Sequence, residues 1–145
     1  DDDIPLIIRN GLAIVDICEN DTYIDAGATA NDNCDGNITS NIVTFNIVNT
    51  SIPATYTVTY NVSDAASNAA IQVTRSVIVH PLPVTTCPSD FTICKASGNI
   101  TLSGASPVGG SYSGTGVSGG IFDPLVAGAG MHTITYSYTD ANACI

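Results

Sequence analysis

Thr55-Tyr56-Thr57-Val58-Thr59-Tyr60-Asn61-Val62 is the stretch that decides how the rest of the chain is read. Tyr56, Val58, Tyr60 and Val62 fall on one face of an extended segment; Thr55, Thr57, Thr59 and Asn61 fall on the other. A period of two with one apolar face is a half-buried strand. Residues 71–79 continue the pattern, with Ile71, Val73, Arg75, Val77 and Val79 on one parity. Toward the N-terminus, residues 42–48 mix β-branched, aromatic and polar side chains. Residues 12–17 form an apolar run ending near Cys18, and residues 4–8 form a shorter one before the turn pair Asn10-Gly11. Residues 131–138 make a last strand, alternating at Thr133, Thr135 and Ser137. No segment carries a helical period, so the expected class is all-β.

The strand recurs. Residues 56–68, YTVTYNVSDAASN, align with residues 132–144, HTITYSYTDANAC. Thr57/Thr133, Thr59/Thr135, Tyr60/Tyr136, Asp64/Asp140 and Ala65/Ala141 coincide at one offset, which predicts two related β-domains. Between them, His80-Pro81-Leu82-Pro83 is stiff and short of backbone donors. The expected organisation is a β-sandwich over residues 1–80, a Pro-rich linker over 81–83 and a Gly-rich β-domain over 84–145. The second copy ends just past its Asp-Ala turn and is expected to lack the last strand. The expectation is either a slice of a longer polypeptide or a gap filled by another strand through β-augmentation. Residues 4–8 are the in-chain candidate for a donated strand, and equally read as the first strand of the first domain.

Composition narrows the function. The 145 residues hold 3 Lys+Arg against 13 Asp+Glu, a formal charge of −10. Arg9, Arg75 and Lys95 are too few and too scattered to displace counterions from nucleic acid, or to hold an anionic membrane surface. No apolar run is long enough for a helix to cross a bilayer, and membrane insertion is not expected. The 44% hydrophobic content argues against charge-driven disorder. Five cysteines in so short a chain point to an oxidising compartment. No signal peptide is visible at the start of the sequence; if the protein is exported, Asp1 is expected to be a mature end or the start of an excised segment.

Residues 4–80 resemble the bacterial surface immunoglobulin-like domain. Three segments carry the resemblance: residues 18–30, CENDTYIDAGATA; residues 32–39, DNCDGNIT; and residues 53–64, PATYTVTYNVSD. Ala54 stands where that family usually has Gly. Residues 84–145 resemble a repeat of large surface proteins of Bacteroidetes-type bacteria, through Gly109–Val117, Phe122-Asp123-Pro124, residues 127–130 and residues 133–144. The resemblances imply tandem immunoglobulin-like sandwiches, export, display at the bacterial cell surface and no catalytic activity. They also imply bridges Cys18–Cys34 and Cys94–Cys144, which loop-closure entropy values at about 3 and about 4 kcal/mol. Cys87 is left over, to bond a neighbour, bond a cysteine elsewhere, or stay free.

Few residues suggest chemistry. Asn31-x-Asn33-x-Asp35-Gly36 has the alternating oxygens and the glycine of a calcium loop's first half, but no distal Glu follows. Asp32 and Asp64 could add oxygens if their loops meet; otherwise the segment is an Asx turn. No other cofactor is expected. The glycines of residues 109–120 are not followed by GK[ST] and read as turns rather than a phosphate loop. His80 and His132 fall in different domains, without a second His for zinc. Lys95 is the sole lysine available to an isopeptide link, and Asp1-Asp2-Asp3 reads as a solvated acidic terminus. Sequons stand at Asn20, Asn37, Asn49, Asn61 and Asn99.

The expected function is a non-enzymatic structural repeat of an extracellular filament, stalk or fibrillar adhesin. Its partners would be copies of itself or neighbouring repeats. The alternatives are a surface module binding glycans or host proteins, and accessory domains of a larger secreted enzyme.

Overall fold

The computed structural model describes residues 2–145; Asp1, the first residue of the acidic run, lies outside them. The chain is nearly all β, in two compact units that divide after Pro81.

In the first unit the alternating strand is β6 (Ala54–Asn61), and its neighbour β7 (Val73–His80) lies antiparallel to it, with Thr57 opposite Ser76 and Tyr60 opposite Val73. Their inward parity, Val58, Tyr60, Arg75, Val77 and Val79, is buried. β5 (Val43–Phe45) covers one edge of β6, and β2 (Ile14–Cys18) pairs with β7 in parallel, Ile14 with Ser76 through Cys18 with His80. These four strands form one sheet, in the order β2-β7-β6-β5.

The facing sheet is β1 (Leu6–Arg9), β3 (Ala28–Asp32) and β4 (Gly36–Asn37). Ile7 and Ala30 from it meet Val58, Tyr60 and Val77 across the core, with Ile38 and Val62 closing the cluster. Apolar area removed from water between the two faces holds the sandwich together. Residues 4–8, weighed as a donated strand, are docked at home: β1 pairs with β3 and buries Ile7.

The second unit carries two smaller sheets. β10 (Val117–Ser118), β11 (Ile121–Phe122) and β8 (Ile100–Thr101) form one; β9 (Ser111–Ser113) and β12 (Thr135–Ser137) form the other. Phe122 is buried and meets Phe91 edge-on, ring centroids 6.4 Å apart. A single helical turn, α1 (Pro124–Ala127), starts where Asp123 accepts from the Leu125 and Val126 N–H groups and proline follows it. Gly110 lets this unit close. A Cβ there would stand 2.3 Å from the Ser137 carbonyl oxygen, and the Gly110 N–H donates to the Tyr136 hydroxyl at 2.7 Å.

The repeat seen in the sequence has a structural counterpart. In the first unit the Asp64 N–H donates to the Asn68 carbonyl, the Asp64 carboxylate accepts from the Asn68 N–H, and Ser67 takes φ +74°. In the second, Asp140 and Cys144 make the same two bonds, with Ala143 at φ +66°. β12 holds the register of β6 as well. Ser111 faces Ser137 as Val43 faces Asn61, so β9 sits where β5 sits.

Candidate functional site

The first unit is organised around one buried polar cluster. Arg75 lies on the apolar parity of β7 and is 2% exposed. A guanidinium there needs acceptors for its fork of donors. It takes the Asp25 carboxylate through Nη1, the Asn10 carbonyl through Nη2 and the Leu12 carbonyl through Nε at 3.1 Å. Its Cζ also lies 5.8 Å from the Tyr60 ring centroid.

Asp25 is satisfied on every side. The Tyr60 hydroxyl donates to it at 2.8 Å, the Tyr23 hydroxyl at 2.7 Å and the Gly27 N–H at 3.1 Å. Burial pushes its pKa up, but the two phenols and the Arg75 charge outweigh burial and leave it below the ordinary value. Burial and the Asp25 charge push the Tyr60 phenol up.

The cluster sits where the chain changes sheets. β1 belongs to one sheet and β2 to the other, and Asn10-Gly11 is the crossing. Gly11 takes φ +74°, a conformation glycine adopts without a Cβ penalty. Arg75 bonds the carbonyls on both sides of that glycine, so one side chain of β7 fixes the crossing.

The unit has two poles. At the N-terminal pole the Asn33 amide donates to Asp3 at 3.0 Å, and Asp35 accepts from the Ala65 N–H at 2.7 Å. At the C-terminal pole the Glu19 N–H donates to the His80 carbonyl at 2.8 Å, and the Asn20 N–H to the Thr50 carbonyl at 2.8 Å. The poles are separated by the length of β6, about 24 Å at 3.4 Å per residue.

That separation corrects the expected disulfides. Cys18 ends β2 beside His80, whereas Cys34 sits in the turn beside Asp35 and Ala65. A disulfide needs Cα atoms within about 7 Å. In the structure Cys34, Cys87 and Cys94 are free, exposed thiols, and Cys18 and Cys144 are disulfide-bonded. The bridges Cys18–Cys34 and Cys94–Cys144 are therefore not formed. Cys94 stands exposed in a turn closed by the Ser97 N–H, while Cys144 is 1% exposed.

The other candidates are dispersed. Asn31 lies on β3 and gives its amide to the Asp32 carbonyl at 3.2 Å. Asn33 and Asp35 share the next turn, and Asp64 spends both carboxylate oxygens on Asn68. His80 Nε2 lies 2.8 Å from Asp16 Oδ1. His132 lies 3.2 Å from the Gly128 carbonyl in the other unit. Lys95 is exposed, as are sequon residues Asn20, Asn37, Asn49 and Asn99; Asn61 is half-buried and accepts from Gln72. Sequence reasoning missed Asp25 and Tyr23, and named Asp32 only as an added oxygen without its burial. The signal for the first was Arg75 on an apolar parity, which demands a carboxylate partner.

Two facing sheets, a sheet-switching first strand and an ionic clamp across the switch define an immunoglobulin-like β-sandwich. The family described as "Bacterial surface protein, Ig-like domain" matches residues 7–79, and the chain belongs to it. No curated protein matches the chain. Among solved structures it is similar to a lipoprotein from Bacteroides thetaiotaomicron, at 20% identity and TM-score 0.49, over 55% of this chain and 39% of that one. It is also similar to the CBM51-2 and INT domains of Clostridium perfringens ZmpB, solved with GlcNAc, at 23% identity and TM-score 0.41, over 77% of this chain and 21% of that one. The M60 catalytic domain of ZmpB with its CBM51-1 and CBM51-2 domains matches at 23% identity and TM-score 0.42, over 77% of this chain and 10% of that one. The chain spans well under half the length of each.

Proposed function

We propose that the chain is a non-catalytic structural repeat of an extracellular bacterial surface protein, a unit of a stalk, filament or fibrillar adhesin. The observation that carries this reading is the position of the first unit's ends. The chain comes in at the pole of Asp3 and leaves at the pole of His80. Units built this way join end to end. A pull along that axis draws β2 and β7 in opposite directions. Because the two are parallel over residues 14–18 and 76–80, the load shears their whole ladder at once. The buried Arg75–Asp25 pair braces the same place.

β12 supports the self-association part of the reading. Its counterpart β6 gives one edge to β5 and the other to β7. Among the described residues β12 pairs with β9 alone, so its second edge is open to a strand of a neighbouring repeat or of another copy.

One observation favours a second reading, a module that binds surface glycans. An open cleft of about 480 Å³ at the C-terminal pole is lined by Asn20, Asp21, Tyr23, Asn46, Asn49 and Thr50. Asn46 and Asn49 accept the N–H groups of Val48 and Ser51 through their carbonyl oxygens, which leaves their NH₂ groups for a ligand. Electron microscopy of native material separates the readings. Fibres or stalks of regular axial repeat support the first. Dispersed monomers with measurable saccharide affinity, lost in Asn46→Ala and Asn49→Ala, support the second and overturn the first.

A further inference from the structure

We propose that the N-terminal pole of the first unit binds a calcium ion, with Asp32 as its buried ligand. Asp32 is 3% exposed. Its Oδ1 accepts from the N–H groups of Cys34 at 2.8 Å and Asp35 at 2.9 Å. Its Oδ2 is sealed from water and has no hydrogen-bond partner. A buried, unpaired carboxylate oxygen costs more than almost any other orphan group, and an ion is one of the few things that satisfies it.

Its surroundings are acidic too. Asn33 ties Asp3 to the turn, and Asp35 ties the turn to Ala65, the neighbour of the buried Asp64. Four carboxylates thus share one pole. No Lys or Arg lies in residues 2–8, 28–37 or 61–70. The chain's Lys and Arg side chains are placed elsewhere: Arg75 is on Asp25, Arg9 gives Nη1 to the Thr74 carbonyl at 2.6 Å, and Lys95 is in the other unit.

The chemistry selects the metal. No three acidic, His or Cys side chains among the described residues meet closely enough to hold an ion by themselves. Such a site leaves the remaining positions to amide and carbonyl oxygens and water, a mixture that calcium accepts and that transition metals and a compact magnesium shell do not. Asn33 supplies one: its NH₂ group faces Asp3, leaving Oδ1 available. The ligand set differs from the alternating Asn31, Asn33, Asp35 of the sequence pattern, because Asn31 is taken up by β3 and Asp32 points inward.

The test uses the full chain, stripped with EDTA and titrated with calcium chloride, read by melting temperature and by amide NMR. The expected result is a rise in the first unit's melting temperature with a Kd of about 0.1–1 mM, the range of extracellular modules. Shifts should centre on the amides of residues 32–36, and magnesium should give a smaller effect. Asp32→Asn should abolish binding. Should that variant fail to fold, Asp35→Asn keeps an acceptor for the Ala65 N–H and should weaken binding about fivefold or more by removing one charge. No melting shift in wild type by about 10 mM calcium overturns the proposal. So does an equal response to magnesium, a response undiminished in Asp35→Asn, or perturbation centred elsewhere.

Discussion

The Asp25 carboxylate is held by the Arg75 guanidinium from a strand 50 residues away, and the two close the core of the first unit. The pair is buried, with side chains 2% and 13% exposed. Removing one member strands the other.

Asp25→Asn should therefore destabilise the first unit by about 3–5 kcal/mol, the cost of an uncompensated buried charge. Tyr60→Phe removes a charge-assisted hydrogen bond but no charge, and should cost less, about 1.5–3 kcal/mol. Denaturant melts of the two variants check the order. Equal losses would show that the pair's charge is not the governing term.

The same cluster sets an acid limit. Asp25 is held below its ordinary value of 3.8, so it binds a proton less readily folded than unfolded. Its contribution is complete above the unfolded pKa and is lost as pH falls through the folded one. Stability of the first unit should decline below about pH 4, and Asp25→Asn should flatten that decline. Melting temperature measured from pH 7 down to pH 2 checks this.

Three thiols should react under native conditions. Cys34, Cys87 and Cys94 are exposed and free, whereas Cys18 and Cys144 are bonded. Alkylation followed by peptide mapping should label those three alone. Labelling of Cys87 alone would restore the pairing implied by family resemblance.

Gly110→Ala should disrupt the second unit while sparing the first. The new methyl would stand 2.3 Å from the Ser137 carbonyl and 2.5 Å from the Tyr136 ring. Overpacking of this kind costs about 1–3 kcal/mol, and more where the obstacle is backbone. Two-step unfolding with only the second unit's step shifted is the expected result.

Strands with strict alternation were legible in the sequence. Residues 55–62 and 71–79 became β6 and β7, with Val58, Tyr60, Val62, Arg75, Val77 and Val79 of the expected parities buried, whereas Ile71 precedes β7 and is exposed. Weaker runs were legible only as existing: residues 131–138 contribute three residues to β12, and residues 42–48 three to β5. The helical turn at Pro124 was missed, being shorter than any helical period. The candidate site was less legible still. Arg75 stood on an apolar parity, but nothing local ties it to Asp25, because the sandwich supplies that contact. The calcium-like spacing named Asn31, Asn33 and Asp35, with Asp32 and Asp64 as further oxygens, and could not say which of these side chains is buried. At the end of β3, Asn31 is exposed and Asp32 is buried, while Asn33 and Asp35 lie in the turn beyond the strand. The cysteine pairing failed because spacing along a chain carries no information about which pole of a sandwich a loop occupies.

The turn shared by Asp64–Asn68 and Asp140–Cys144 behaves as an interchangeable socket. Its shape depends on the aspartate and on main-chain bonds, so the residue that closes it is free to change. In one copy that residue is an asparagine whose amide returns to the aspartate at 2.8 Å; in the other it is a cysteine committed to a disulfide. A single substitution there exchanges a local hydrogen bond for a covalent tether without redrawing the loop. An array assembled from such domains could acquire or lose cross-links one position at a time, each step leaving the fold intact.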